Sequence, residues 1–145
     1  MREATKYDVP HLIEMMKAYA DEAGIEALKH NQNEPQVRNL FDQMIHGRGF
    51  VLVDDNLHGF LAAYITRNFW NRYVRELHEV AWWVSPEYRN TSIGGRLWLR
   101  FNQLAQYMLD QKRVDIVCTS LMPSSPEIDY TKYKFQPLQA TFFRE

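Results

Sequence analysis

Cysteine is nearly missing from this chain of 145 residues: Cys118 is the only one. No internal disulfide can staple the fold, and a lone thiol in an apolar run fits a reducing compartment better than an oxidising one. An excess of charge of either sign is missing too. Lysine and arginine number 17 against 18 aspartates and glutamates, a formal net charge of -1. That balance gives no electrostatic footprint for non-specific binding of nucleic acid or of an anionic membrane, leaving room only for a local basic patch. No window of about 18 residues is free of charge, as a membrane-spanning helix requires. The stretch Met1-Arg2-Glu3-Ala4-Thr5-Lys6-Tyr7-Asp8 has charges where a secretion signal has apolar residues. The expectation is a cytoplasmic protein with no membrane and no nucleic-acid partner. His11, His30, His46 and His58 show no metal-ligand spacing, so no metal is expected. No nucleophile motif supports a Ser-His-Asp or Cys-His arrangement.

Apolar material is plentiful. Hydrophobic residues make up 46% and aromatics 14% of the chain, enough for one core, and the length suits a single domain over residues 1–145. Asp8 reads as an N-cap with Pro10 in the first turn, followed by Leu12, Ile13, Met16, Ala20 and Ala23 at helical spacing up to Gly24. A second helix follows Asn33-Glu34-Pro35 and stops at Gly47. Phe50 to Val53, a tight turn at Asp54-Asp55-Asn56, and Leu57 to Ile65 read as a β-hairpin, and a long strand runs from Val74 to Val84 until Ser85-Pro86 ends it. The clearest helix spans 92–110, with Ile93, Leu97, Phe101, Leu104 and Met108 on one face. A strand over 114–118, a short helix over 127–133 and a final strand over 138–143 complete a mixed α/β order without repeats.

The junction from Val84 to Leu97 carries the chemistry. A strand that passes through a polar turn directly into a helix presents unpaired backbone N–H groups and the positive end of the helix dipole, which suits a phosphate or pyrophosphate. Gly94 and Gly95 inside that helix cost roughly 1 kcal/mol each relative to alanine. Either a ligand needs bare backbone there, or the helix packs closely on the sheet.

The same segment resembles motif A of the GNAT superfamily of acyl-CoA-dependent N-acyltransferases, which runs Val-x-Pro-x-Tyr-Arg-Gly-x-Gly-Ile-Gly-x-x-Leu. Val84, Pro86, Tyr88, Arg89, Ile93, Gly94 and Leu97 fall in place, whereas Asn90 and Ser92 stand where the family has glycine. Phage-encoded relatives tolerate the serine. The element order matches the family along nearly the whole chain, and the family ending Tyr-x-x-x-Gly-Phe is echoed by Tyr130 and Phe135, with Lys134 in place of the glycine.

The resemblance implies a GNAT-like α/β fold with a central, mainly antiparallel sheet, splayed beside the motif A strand and flanked by helices. It implies an N-acetyltransferase that moves an acetyl group from acetyl-CoA to an amine acceptor, and it allows a homodimer. The donor would lie on Val84, Arg89, Asn90, Thr91, Ser92, Ile93, Gly94 and Gly95, its pyrophosphate on main-chain amides and its pantetheine on the Val84 backbone. Glu79 would be the general base and Tyr130 the acid that protonates the departing thiolate. On the strand's alternation Glu79 shares a face with Leu77, Ala81 and Trp83, and His78 with Val80 and Trp82. Glu79 is otherwise a partner for Arg75 or a residue at an exposed end, with His78 and Glu76 as weaker candidates for the base. Tyr130 is otherwise core packing beside Tyr133 and Phe135. Trp70, Tyr73, Trp82 and Trp83 are candidates for an aromatic acceptor pocket. The competing reading is a non-catalytic protein of this fold that works by binding a macromolecule.

Overall fold

The computed structural model describes residues 1–29 and 33–145. His30 lies outside the described residues. A short strand β1 (Arg2–Glu3) leads into helix α1 (Val9–Glu22) and helix α2 (Glu34–Ile45); strands β2 (Gly49–Val53), β3 (Gly59–Arg67) and β4 (Arg75–Val84) follow, then helix α3 (Ile93–Asp110) and strand β5 (Ile116–Cys118). The five strands form one sheet in sequence order, antiparallel from β1 to β4 and parallel between β4 and β5.

Two apolar layers hold the helices to the sheet. On one face Leu12 and Ile13 of α1 and Phe41 and Met44 of α2 pack on Val51, Phe60, Ala62, Ala81 and Trp83. On the other, Leu97, Trp98, Phe101 and Met108 of α3 pack on Phe50, Leu52, Leu61 and Leu77. The strand residues alternate between these layers, as a period of two requires for a sheet covered on both sides.

Several expected boundaries shift for identifiable reasons. Asp8 precedes α1, but its side chain does not cap that helix. Its carboxylate accepts instead from the backbone N–H of Thr5 at 2.8 Å and from the Arg2 guanidinium at 2.7 and 3.0 Å. The hairpin turn is longer than the sequence suggests because Asp54 gathers the N–H groups of Asn56, His58 and Gly59. Leu57 takes a left-handed φ of 57° within that turn. The expected helix over 127–133 is one 3-10 turn, Tyr130–Tyr133.

The final strand over 138–143 does not form. Leu138, Phe142 and Phe143 are 79%, 91% and 69% exposed. A run with strand-like residues needs a ladder partner and a buried face, and β5 extends only to Cys118, so neither is offered.

Candidate active site

The period-two reading of β4 fails at one residue. Ala62 pairs with Ala81 and Ala63 with Glu79, so Val80 is an extra residue in the ladder, a β-bulge. Side chains beyond it change sides: Leu77 packs in the α3 layer, whereas Ala81 and Trp83 pack in the α1–α2 layer. Glu79, immediately before the bulge, is therefore not part of one continuous face with Ala81 and Trp83.

Beside the bulge the sheet opens. β4 pairs with β5 only through Glu76, Leu77 and His78, opposite Ile116, Val117 and Cys118. From Glu79 to Val84 that edge carries no strand among the described residues. Alternate residues of an antiparallel strand turn their polar groups to the same neighbour. Because the Ser85 N–H donates to the His58 carbonyl across the β3 side, the polar groups of Val84 face the open side. A cleft of about 260 Å³ occupies the gap, between α1 (Tyr19, Glu22), the β4 edge (Glu79, Trp82, Val84), the loop at Arg89 and Gly94, and the segment from Ser120 to Pro126.

Glu79 is buried at the base of this cleft, 8% exposed. It accepts from the Thr119 hydroxyl at 2.9 Å and from the Ser120 N–H at 3.5 Å. Burial raises its pKa above the ordinary carboxylate range, and the two hydrogen bonds offset only part of that rise. Arg75 does not pair with it, being engaged with Asp115 and the Lys112 carbonyl. Glu76 and His78 bond to each other at 2.8 Å and do not line the cleft.

Tyr130 is not among the residues that line the cleft; it lies in an aromatic cluster on α3. Its ring meets Trp98 edge-on at 5.6 Å and Phe135 at 6.4 Å. Burial, and then the charge of Glu79, push its pKa up. Tyr19 of α1, which sequence reasoning missed, lines the cleft, donates to the Met122 sulfur at 3.1 Å and has its pKa raised by burial and then by Glu79. Its helical spacing gave only a core-face signal.

The loop ahead of α3 and the first turn of that helix have the free donors that the anion reading requires. Thr91 N–H bonds to the Tyr88 carbonyl and Ile93 N–H to the Thr91 hydroxyl. The N–H groups of Asn90, Ser92, Gly94 and Gly95 have no protein acceptor among the described residues. Neither Asn90 nor Ser92 has a positive φ, so their replacement of glycine causes no backbone strain. A Cβ on Gly95 would meet nothing within 4 Å, and one on Gly94 would make only ordinary contact with Val84 at 3.6 Å. Close packing against the sheet does not account for this glycine pair.

Arg89 crosses the cleft. Its Nε donates to the Val84 carbonyl at 2.9 Å and its Nη2 to both oxygens of Glu22 at 2.8 and 2.6 Å. The Trp83 indole donates to the same Glu22 carboxylate at 3.1 Å. Trp82 and Trp83 line the cleft, whereas Trp70 and Tyr73 lie in the β3–β4 loop, 89% and 79% exposed. Cys118 on β5 is half-buried, and burial pushes its thiol pKa up, away from nucleophilic use. Among the described residues no group of three His, Cys, Asp or Glu could hold a metal ion, and no helix is long and apolar enough to cross a membrane.

The comparisons with known proteins agree with this geometry. The chain resembles a predicted acetyltransferase from Clostridium acetobutylicum solved with acetyl-CoA, at 16% identity and TM-score 0.72 over 99% of this chain and 94% of that one. It resembles an acetyltransferase of Trypanosoma brucei at 15% identity and TM-score 0.65, covering 99% and 96% of the two chains. A third likeness is to an aminoglycoside acetyltransferase from an uncultured soil metagenomic sample, in complex with sisomicin, at 14% identity and TM-score 0.64 over 99% and 93%. These likenesses establish the fold. No curated protein matches the sequence. The model of the acetyltransferase (GNAT) family matches residues 11–124, the span that holds the bulge, the open edge and the free amides. The chain belongs to the GNAT acetyltransferase family, acyl-CoA-dependent enzymes whose donor is acetyl-CoA.

Proposed function

We propose that this chain transfers an acetyl group from acetyl-CoA to a primary amine, of a small molecule or a protein, by direct attack in a ternary complex. The observation that carries this reading is one cleft lined by an unpaired strand edge, a buried carboxylate, Arg89 and Gly94, with the free amides of Asn90 and Ser92 lying between those last two in sequence and that of Gly95 next to them. The amides from Asn90 to Gly95 would hold the donor pyrophosphate, with Arg89 beside them and the Val84 backbone along the pantetheine.

A primary amine resembling that of lysine has a pKa near 10 and must lose a proton before it attacks. Glu79 takes that proton, through a water molecule. The amine nitrogen then bonds to the thioester carbon while the Val84 amide stabilises the developing negative oxygen. The carbon–sulfur bond breaks as Tyr130 gives its proton to the sulfur, and the acetylated nitrogen gives up its second proton to the Tyr130 phenolate, so the products are an acetamide and free coenzyme A. A phenol whose pKa is pushed up keeps its proton until the thiolate needs it, which suits an acid. No acyl-cysteine forms.

Thiol release from acetyl-CoA across a broad panel of amines tests the reading. Turnover with at least one amine supports it; acetyl-CoA binding with no acetylation of any amine or of a cell extract would favour a protein that only binds.

A further inference from the structure

Glu22 has no part in the chemistry above, yet it is the most heavily engaged carboxylate at the rim of the cleft. It is the last residue of α1 and accepts from Arg89 and from Trp83 at once. Glu22, Glu79 and Arg89 are the charged residues among those lining the cleft. Two carboxylates therefore face it, and the single guanidinium is held by one of them.

Resting on the donor seat proposed above, we infer that Glu22 and the donor pyrophosphate compete for Arg89. Without donor, Glu22 holds the guanidinium across the cleft. When acetyl-CoA binds, Arg89 turns to the phosphates, and the Glu22 carboxylate is left facing the cleft as the rim site for the ammonium of the acceptor.

Three observations carry this exchange. The pair is weak enough to be displaced, because its side chains are 45% and 41% exposed and an ion pair in water contributes little. The rival is stronger: a pyrophosphate would meet four free amides, those of Asn90 and Ser92 in the loop after Arg89 and those of Gly94 and Gly95 in the first turn of α3. The Trp83 indole, 9% exposed, keeps its bond to Glu22 and so holds the carboxylate at the rim after Arg89 leaves. The exchange removes the one positive charge from a cleft that retains Glu22 and Glu79. The site becomes attractive to a cation only once the donor is in place, which makes Glu22 a specificity residue for a cationic acceptor and sets the order of binding.

Calorimetry of acetyl-CoA with the wild type, Glu22→Gln, Arg89→Ala and the double variant tests this. Removing the competitor should tighten donor binding in Glu22→Gln by about two- to fivefold. Arg89→Ala should weaken it, and the gain from Glu22→Gln should vanish in the Arg89→Ala background. With an amine that the wild type acetylates, Glu22→Gln should raise the acceptor KM while lowering the donor KM. A purely structural role for Glu22 cannot tighten donor binding, so unchanged or weaker affinity in Glu22→Gln overturns the exchange. If the wild type itself binds no acetyl-CoA, the donor seat falls, and the exchange with it.

Discussion

Glu79 is a carboxylate held where water reaches it poorly, and that placement sets its chemistry. Because a base must be ionised to accept a proton, kcat should fall as the pH drops through its raised pKa, placing the acid limb of the rate profile above the ordinary carboxylate range. Glu79→Gln and Tyr130→Phe should each lower kcat by about 10²–10⁴-fold while acetyl-CoA affinity stays within a factor of about two, read by steady-state kinetics and calorimetry. Full activity in both variants would show that other groups do the proton transfer, with Tyr19 the first to test. The same burial acts on stability. Folding favours the protonated form of Glu79, so its contribution is fully present below the unfolded pKa and is lost as the pH rises through the raised folded value. Asp8 works in the opposite direction: the Arg2 guanidinium holds its pKa down at about 2. Its contribution is present above the unfolded value and is lost as the pH falls toward 2. Asp8→Asn should therefore destabilise the fold at neutral pH by about 1–3 kcal/mol and flatten the acid side of the stability curve, measured by urea unfolding. The family resemblance marked Glu79 and Tyr130 as candidates in the sequence. Glu22 and Tyr19 were hidden because a helix stripe records only which face is apolar, not which tertiary neighbour a polar residue meets.

The Tyr130–Tyr133 turn and the start of α3 show two different uses of glycine. Lys134, standing at the glycine of the Tyr-x-x-x-Gly-Phe ending, has a φ of 67° and closes the Tyr130–Tyr133 turn in the left-handed region. A residue with a Cβ is strained there by about 1–2 kcal/mol. Lys134→Gly should raise stability by about 1 kcal/mol, visible as a higher urea midpoint at an unchanged slope. At the start of α3 the reasoning reverses. Gly95 has an ordinary helical φ and open space around its missing Cβ. Gly95→Ala should stabilise the donor-free fold by up to about 1 kcal/mol through helix propensity. It should also weaken acetyl-CoA binding, because the methyl group enters the space over the free amides. Opposite signs in the two measurements are the signature of a ligand position; a gain in both would show that the donor does not approach there. The strand–loop–helix junction was legible in the sequence because its signals are local. The bulge at Val80 was not, since it exists only in the register between β3 and β4, and the missing strand at 138–143 depends on a partner edge that propensity does not describe.

At the scale of the molecule, one sheet closed by helices on both faces is opened at a single place. The three-residue contact between β4 and β5 joins the strands at one end and leaves the other free, and the cleft follows from that divergence. Both layers meet there: α1 brings Glu22 and Tyr19 from one side, and Gly94 in the first turn of α3, with Arg89 of the loop before it, comes from the other. The mixed α/β order was legible because each long element has a strong period, and the mainly antiparallel sheet flanked by helices followed from the family resemblance. That Tyr19 and Glu22 meet the β4 edge across one cleft was not legible, because α1 and β4 are far apart in sequence and meet only after folding. The central claim is that the open β4 edge and the amides of the following loop form the acetyl-CoA site. Titration calorimetry of acetyl-CoA into the wild type and Gly94→Glu tests it most directly, with circular dichroism confirming that the variant is folded. Saturable one-to-one binding by the wild type, abolished when a carboxylate is placed against the pyrophosphate seat, is the predicted result. Absence of binding by the wild type at millimolar acetyl-CoA, or equal binding by a folded Gly94→Glu, would contradict it.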